Sequence, residues 1–315
     1  MFEKRIKEIS EKFNSKNKKD FFALIYNRSR REVYFQDNKN AINFIKIKFS
    51  SPLKKIVYFG IKMGLSKLFL KKIKLSENFG DVVFVANNIK CFDLKSRVVT
   101  SLLNKGLSKD SFLYSTKFRK KRGEEGYSPK IFEIDEEFPL SKEELLEEYK
   151  GKDNLKVFKK LYSWYEKRGI KKVDLTEYLS SLERKLKEKN IQNNFVKQVL
   201  KSLKKNQEKV FVAQPHGSFT KEQILVKEDS YVFVDWSENV ELEKDLIIRD
   251  LVNFFRDEKD LLVNQEFLKL LKIYPEKIRK NIYFYLILNE LSSIARRGLY
   301  EINIKRIKNT LKHLR

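Results

Sequence analysis

Apolar positions along the chain change their spacing more than once. Two short runs, "FFALIYN" and "REVYF", flank a polar turn and predict a pair of strands within 21–35. Segment 1–20 has a basic helical pattern, and residues 38–49 and 52–72 are expected as helices, with Pro52 suited to a first turn. From residue 81 the texture turns to β. "DVVFVANN", "IKCFDL" and "RVVTSLL" are rich in Val, Ile and Phe and are separated by Asn-Asn and Lys-Ser turns, which predicts an antiparallel meander. A helix is expected near 108–121, ending in the basic cluster "KFRKKRG", before "PKIFEIDEEF" resumes the strand pattern.

The acidic stretch "SKEELLEEYKGKD" reverses the charge balance, so a junction between two lobes is expected within 140–155. Beyond it the period is mostly helical. Ser141 with Glu144, and Asp174 with Glu177, have capping-box spacing and predict helix starts at both places. "NNFVKQVLKSLKK" is amphipathic, whereas "NIYFYLILNELSSIARRGLY" is apolar on nearly every face and is expected to be buried. One β interruption breaks the helical half. "KVFVAQPHGS" leads into "EQILVK", a turn at "EDS", and "YVFVDWS", the pattern of a hairpin. Such a hairpin would bring His216, Ser218 and Gln223 at its entry to the same end as Asp235 at its exit.

Composition narrows the chemistry. With 315 residues and 41% apolar content the chain can bury a sizeable core, so it is not a disordered polymer. A single cysteine, Cys91, excludes an intrachain disulfide framework and fits a reducing, cytoplasmic compartment. One cysteine and two distant histidines do not make a zinc-type centre. The start, "MFEKRIKEISEKFNSKNKKDFF", lacks the apolar core of a secretory signal and is expected to be retained. Residues 56–70 are interrupted by Lys62 and Lys67 and fall short of the roughly 20 apolar residues of a spanning helix. The net charge of +25 is uneven: residues 1–130 hold 31 Lys and Arg against 12 Asp and Glu, a surplus of +19, leaving +6 for the rest. A field of that sign attracts nucleotide phosphates, nucleic acid or an anionic membrane face. Nucleic acid is the least favoured of these, because Phe69, Tyr114 and Phe118 sit at helical core spacing rather than as stacking platforms.

The hairpin residues fit a known chemistry. Kinase-type phosphoryl transfer needs a carboxylate to orient a hydroxyl nucleophile, and an Asn with a second Asp to hold Mg²⁺ against the nucleotide phosphates. "HGSFTKEQILV" followed by "VFVDWS" resembles the His-Gly-Asp-x-x-x-x-Asn core and the Ile-Asp-Trp segment of the aminoglycoside phosphotransferase and choline kinase superfamily. "IKCFDLKSRVVTSLL", "PKIFEI", "EEYKGKD" and "DLIIRDLVNFF" are similar to its meander, interlobe strand, linker and following helix. The resemblance implies an α+β, bilobal, protein-kinase-like fold. It divides the chain into an N-terminal extension over 1–80, a β-rich lobe over 81–150, and a helical lobe over 151–315 whose hairpin spans 210–237.

By the same resemblance Asp235 and Gln223 are metal ligands, Gln223 replacing Asn with a stem one methylene longer. His216 and Asp250 brace the loop, and Ser218 stands where the catalytic Asp belongs. The strand lysine for the α- and β-phosphates falls near Thr100, with Lys105 or Lys117 as substitutes, and helix "KDSFLYSTKFRKK" has no glutamate to pair with it. A lost general base costs ~10²–10⁴-fold in rate. The expected function is therefore a degenerate kinase-like phosphotransferase that binds ATP and Mg²⁺ with little or no turnover. The alternatives are an active kinase phosphorylating a small sugar or amino-alcohol hydroxyl, and a basic protein that binds nucleic acid or lies peripherally on a membrane.

Overall fold

The computed structural model describes residues 17–26, 31–48, 70–85, 88–103, 108–205, 208–217, 219–236, 244–258, 260–298 and 301–313. They belong to two compact units, Met1–Glu147 and Glu148–Arg315.

The first unit is built on strands β1 (Lys18–Tyr26), β2 (Arg31–Phe35), β3 (Lys71–Ser76), β4 (Val82–Val85), β5 (Asn88–Asp93), β6 (Val98–Leu103), β7 (Ile131–Asp135) and β8 (Leu140–Glu144). They form one sheet in the order β3-β1-β2-β4-β5-β6-β8-β7, with antiparallel neighbours throughout. Register follows the alternation of side chains. Phe22 faces Phe35, Phe35 faces Val82, Val82 faces Phe92 and Phe92 faces Val99, a continuous apolar row over five strands. A slip of one residue would turn that whole row to the opposite face, which is why the pairing is fixed. Helix α1 (Lys39–Lys48) covers the row with Ala41, Ile42, Phe44 and Ile45. The other face buries Phe21, Tyr34, Phe79, Val83, Cys91 and Leu102. Cys91 is a small apolar filler there, and burial pushes its thiol pKa up, away from the reactive thiolate.

Several expectations change in this unit. Residues 18–76, read as an extension, contribute three strands to the same sheet as 82–144, because their alternating apolar residues complete its two faces. Lys18–Asp20, Lys71 and Lys72 are strand rather than helix, held by the pairing of β1 with β3. The rest of those two expected helices, 1–16 and 52–69, lies outside the described residues. Ser141 and Glu144 do not open a helix: they sit in β8, which pairs with β6 on one side and β7 on the other and has Leu140, Ser141 and Glu143 buried. Tertiary pairing overrides a four-residue capping pattern here. The helix expected near 108–121 is present as α2 (Lys109–Glu124), capped by the Ser108 hydroxyl, which accepts from Ser111 N at 3.0 Å.

Gly80 closes the turn into β4 at φ 68° and ψ −143°, a region open essentially to glycine. A Cβ there would lie 2.6 Å from the Phe92 carbonyl oxygen. Gly80→Ala is therefore expected to lower the unfolding free energy by about 1–3 kcal/mol, read as a reduced urea midpoint at unchanged m-value.

The second unit is mainly helical: α3 (Asn154–Arg168), α4 (Leu175–Glu188), α5 (Asn194–Leu203), α6 (Arg249–Phe254), α7 (Gln265–Leu271), α8 (Glu276–Lys280), α9 (Ile282–Arg297) and α10 (Glu301–Lys312). Strands β9 (Lys171–Asp174), β10 (Lys209–Ala213) and β13 (Asp245–Leu246) form a small sheet in the order β9-β10-β13, and β11 (Ile224–Lys227) pairs with β12 (Ser230–Phe233) as the expected hairpin. Asp174 occupies the N-cap position of α4 but makes no side-chain cap bond, whereas Asn193 caps α5 by accepting from Val196 N at 3.1 Å. Helix α9 is buried on nearly all sides, as its sequence indicated. The chain is thus α+β, with a large antiparallel sheet followed by a helical unit.

Candidate functional site

The hairpin end of the second unit gathers polar groups on an aromatic bed. Trp164 of α3 and Trp236 pack at a tilt with ring centroids 4.8 Å apart, the His216 ring centroid lies 4.5 Å from that of Trp236, and Phe158 meets both Phe219 and Phe254 edge to face. Each such ring removes a large apolar area from water, so the loop between β10 and β11 is pinned by its own side chains. Trp236 Nε1 donates to the Phe233 carbonyl at 2.9 Å, which closes the turn leaving β12.

Asp250, on the first turn of α6, is fully buried and is the hub of the loop. Its carboxylate accepts the backbone N–H of His216, the backbone N–H of Gly217 at 3.0 Å and the Tyr165 hydroxyl at 2.8 Å. Burial raises its pKa, while Arg249, the two backbone donors and Tyr165 pull it back towards the charged form. Burial, aided by the Asp250 charge, also pushes the Tyr165 phenol well above its ordinary value, so it stays a donor. Gly217 adopts φ 104°, and its carbonyl receives Arg249 Nη2 at 2.9 Å and Asn253 Nδ2 at 3.2 Å. The opposite side of His216 faces the hairpin: its Nε2 bonds the Val234 carbonyl at 2.9 Å, one residue before Asp235.

Arg249 is itself held. Asp245 takes Arg249 at 2.7 Å, Tyr178 at 3.0 Å, the Ser292 hydroxyl and Arg296. This second carboxylate hub was not singled out in the sequence. Its only signal was the four-residue spacing of Asp245 and Arg249 at the mouth of a short helix.

Of the residues expected at the site, His216 and Asp250 meet directly, and Gln223 and Asp235 lie on adjoining positions of the hairpin end. The Val234 N–H donates to the Gln223 carbonyl at 2.9 Å, which sets Asp235 one residue beyond that pair. Asp235 is exposed and takes φ 55°, uncommon for a non-glycine residue and often a mark of a functional position. Gln223 has a local task as well. Thr220 and Gln223 form a reciprocal capping box on the short 3₁₀ turn Lys221–Gln223, the Gln223 Oε1 accepting from Thr220 N at 3.0 Å. "TKEQ" carries that box in plain view. An amide oxygen has two lone pairs, so one acceptor direction remains beyond the cap.

A carboxylate and an amide oxygen are hard donors of the kind Mg²⁺ accepts, since that ion keeps several waters and takes one or two protein ligands beside phosphate oxygens. Among the described residues, no group of three His, Cys, Asp or Glu side chains could enclose a metal. Among the described residues, the Gln223 amide and the Asp235 carboxylate are of a kind that fits a Mg²⁺ shared with phosphate oxygens. Ser218 lies outside the described residues, between the described Gly217 and Phe219.

In the first unit, Thr100 lies opposite Cys91 in β6, Lys117 pairs with Glu136 at 2.7 Å in an exposed ion pair, and Lys105 is outside the described residues. The less exposed pair is of a different kind. Arg119 of α2 reaches Glu143 of β8 at 2.7 Å, so here the helix supplies the cation and the strand the carboxylate. Sequence reasoning missed it because it searched for a glutamate on the helix.

No family model matches the chain, and no curated protein matches it. Among solved structures the chain is similar to a choline kinase from Streptococcus pneumoniae, at 17% identity and TM-score 0.42, covering 73% of this chain and 90% of that one. It is also similar to a choline/ethanolamine kinase family protein from Mesorhizobium loti, at 10% identity and TM-score 0.44, covering 73% and 84%. A glucosamine kinase in complex with glucosamine, ADP and inorganic phosphate is similar at 10% identity and TM-score 0.40, covering 73% and 79%.

Proposed function

We propose that this chain is a kinase-like phosphotransferase homologue that binds a nucleotide with Mg²⁺ and turns it over slowly or not at all. One observation supports this reading above the others. Asp250 holds the N–H groups of His216 and Gly217 while the His216 imidazole holds the Val234 carbonyl, so the segment before Ser218 and the segment before Asp235 are tied to each other. A loop braced in this manner suits phosphoryl transfer, where positioning and electrostatics do most of the work. In the proposed roles, Asp235 and Gln223 bind Mg²⁺, His216 and Asp250 position the loop, and Ser218 occupies the place of the general base. Bound Mg²⁺ would supply charge neutralisation on the phosphates.

The likeness to small-molecule kinases adds a small hydroxyl-bearing acceptor to the proposal. An active kinase is the second reading, favoured by the same brace, because transfer can persist at a reduced rate without a general base. No helix among the described residues is long and apolar enough to cross a membrane, and the basic surplus of residues 1–130 is proposed to serve phosphate attraction or contact with an anionic surface.

Calorimetry with a non-hydrolysable ATP analogue tests the reading. Binding is expected to require Mg²⁺ and to weaken about tenfold or more in Asp235→Ala, the cost of losing a charged ligand to the ion. Equal affinity in the variant, or no dependence on Mg²⁺, would remove the metal role. Release of ADP by the unaltered protein with a sugar or amino alcohol would select the active reading.

A further inference from the structure

Helices α6, α9 and α10 line a cavity of about 410 Å³ within the second unit, inside the ~300–1,000 Å³ range of small-molecule sites. It shares its wall with the loop described above. Thr220 lines it two positions beyond Ser218, and so does Asn253, the residue whose Nδ2 holds the Gly217 carbonyl. Glu290 forms part of the lining and is buried, its carboxylate taken up by Asn303 Nδ2 and by Arg306 Nη1 at 3.5 Å. That negative charge is compensated from within.

The remaining charge is mostly positive. Arg256 and Arg297 add two guanidinium groups to the lining, against Asp257, whose side chain is 96% exposed and 4.0 Å from Arg256. Three arginines thus stand against two carboxylates. Amides and hydroxyls from Asn253, Asn289, Asn303, Ser293 and Thr220 supply donors and acceptors together, which is what a ring of hydroxyl groups requires. The described lining holds no aromatic ring of the kind that cages a quaternary ammonium. Its apolar members, Val252 and the exposed Ile302, offer little to a greasy ligand.

We infer that this cavity binds a polyhydroxylated anion, a sugar bearing a phosphate or carboxylate, rather than a cationic amine. Arginine forks match either anion in bidentate fashion, and the amides address the hydroxyls. The inference deepens the transfer reading by giving its acceptor a chemical class, and it rests on that reading only for the word acceptor.

Calorimetry without nucleotide or Mg²⁺ tests the binding itself, using glucose 6-phosphate, glucuronate, glucose, glucosamine and inorganic phosphate at one ionic strength. Glucose 6-phosphate or glucuronate is expected to bind at least about tenfold more tightly than glucose or glucosamine, the value of one charge-assisted pair. Whichever of the two is tighter identifies the anion. Arg297→Ala is expected to weaken that binding about tenfold, and Ile302→Trp to block it. Both positions are exposed, and an unchanged far-UV spectrum will certify the fold of each variant.

Tighter binding of glucosamine, equal binding of inorganic phosphate, binding untouched by both substitutions, or no binding of either acidic sugar would each overturn the inference. The nucleotide titration stands apart. Mg²⁺-dependent analogue binding with no acidic-sugar binding sinks this inference alone, and the reverse outcome sinks the transfer reading alone.

Discussion

Asp250→Ala is expected to lower the unfolding free energy of the second unit by about 3–5 kcal/mol, the range found when one side of a buried charged network is removed. The carboxylate accepts from the His216 and Gly217 N–H groups and from Tyr165, all in a buried setting. Alanine leaves those donors without their acceptor, and each buried donor so abandoned costs about 1–3 kcal/mol less whatever it recovers from water. Urea titration followed by far-UV circular dichroism measures the loss. A loss below about 1 kcal/mol, the size of an ordinary exposed substitution, would show that the hub does not hold the loop.

The pH dependence carries its own sign. Burial raises the Asp250 pKa above that of the unfolded chain, so the folded protein retains the proton more firmly. The contribution from that linkage is complete below the ordinary carboxylate range and declines as pH rises through the raised folded value. The stability gap between the unaltered protein and Asp250→Ala is therefore expected to narrow with rising pH across the weakly acidic range. A gap that widens instead would place the folded pKa below the unfolded one.

Ser218→Asp is expected to raise the rate of phosphoryl transfer by ~10²–10⁴-fold, the usual worth of a positioned general base. The gain should be read as ADP release in the presence of Mg²⁺ and an acceptor, and it should vanish when Asp235 is also replaced. It should still fall short of a proficient kinase. In the proposed function Thr100 stands near the position where the resemblance implies a phosphate-binding lysine, so that contact is expected to be missing. No gain on introducing the carboxylate would mean that position 218 does not address the nucleophile.

The sequence revealed those parts of the molecule where side-chain period and local chemistry agree. Alternation in "REVYF" and "IKCFDL" gave strands, "EDS" gave a hairpin turn, and the unbroken apolar run around Leu286 gave a buried helix. It misled at Ser141, where pairing with two flanking strands outweighs a four-residue capping pattern. It also hid the membership of β1, β2 and β3 in the large sheet, because pairing between distant segments leaves no trace in local spacing. At the site, the motif pointed to His216 and Asp250, which meet. It gave no hint of Tyr165, 85 residues before Asp250, or of the Asp245 hub, since partners brought together by folding have no fixed sequence offset.

The close, tilted indole pair has an optical consequence. Trp164 and Trp236 are the chain's entire tryptophan complement, and both belong to the second unit. Emission excited at the indole band will thus monitor that unit alone, and the 4.8 Å ring separation should give an exciton couplet that disappears once the hairpin end comes apart. The sheet of the first unit is silent in that channel, so a mismatch between fluorescence and backbone dichroism would time the two unfolding events separately.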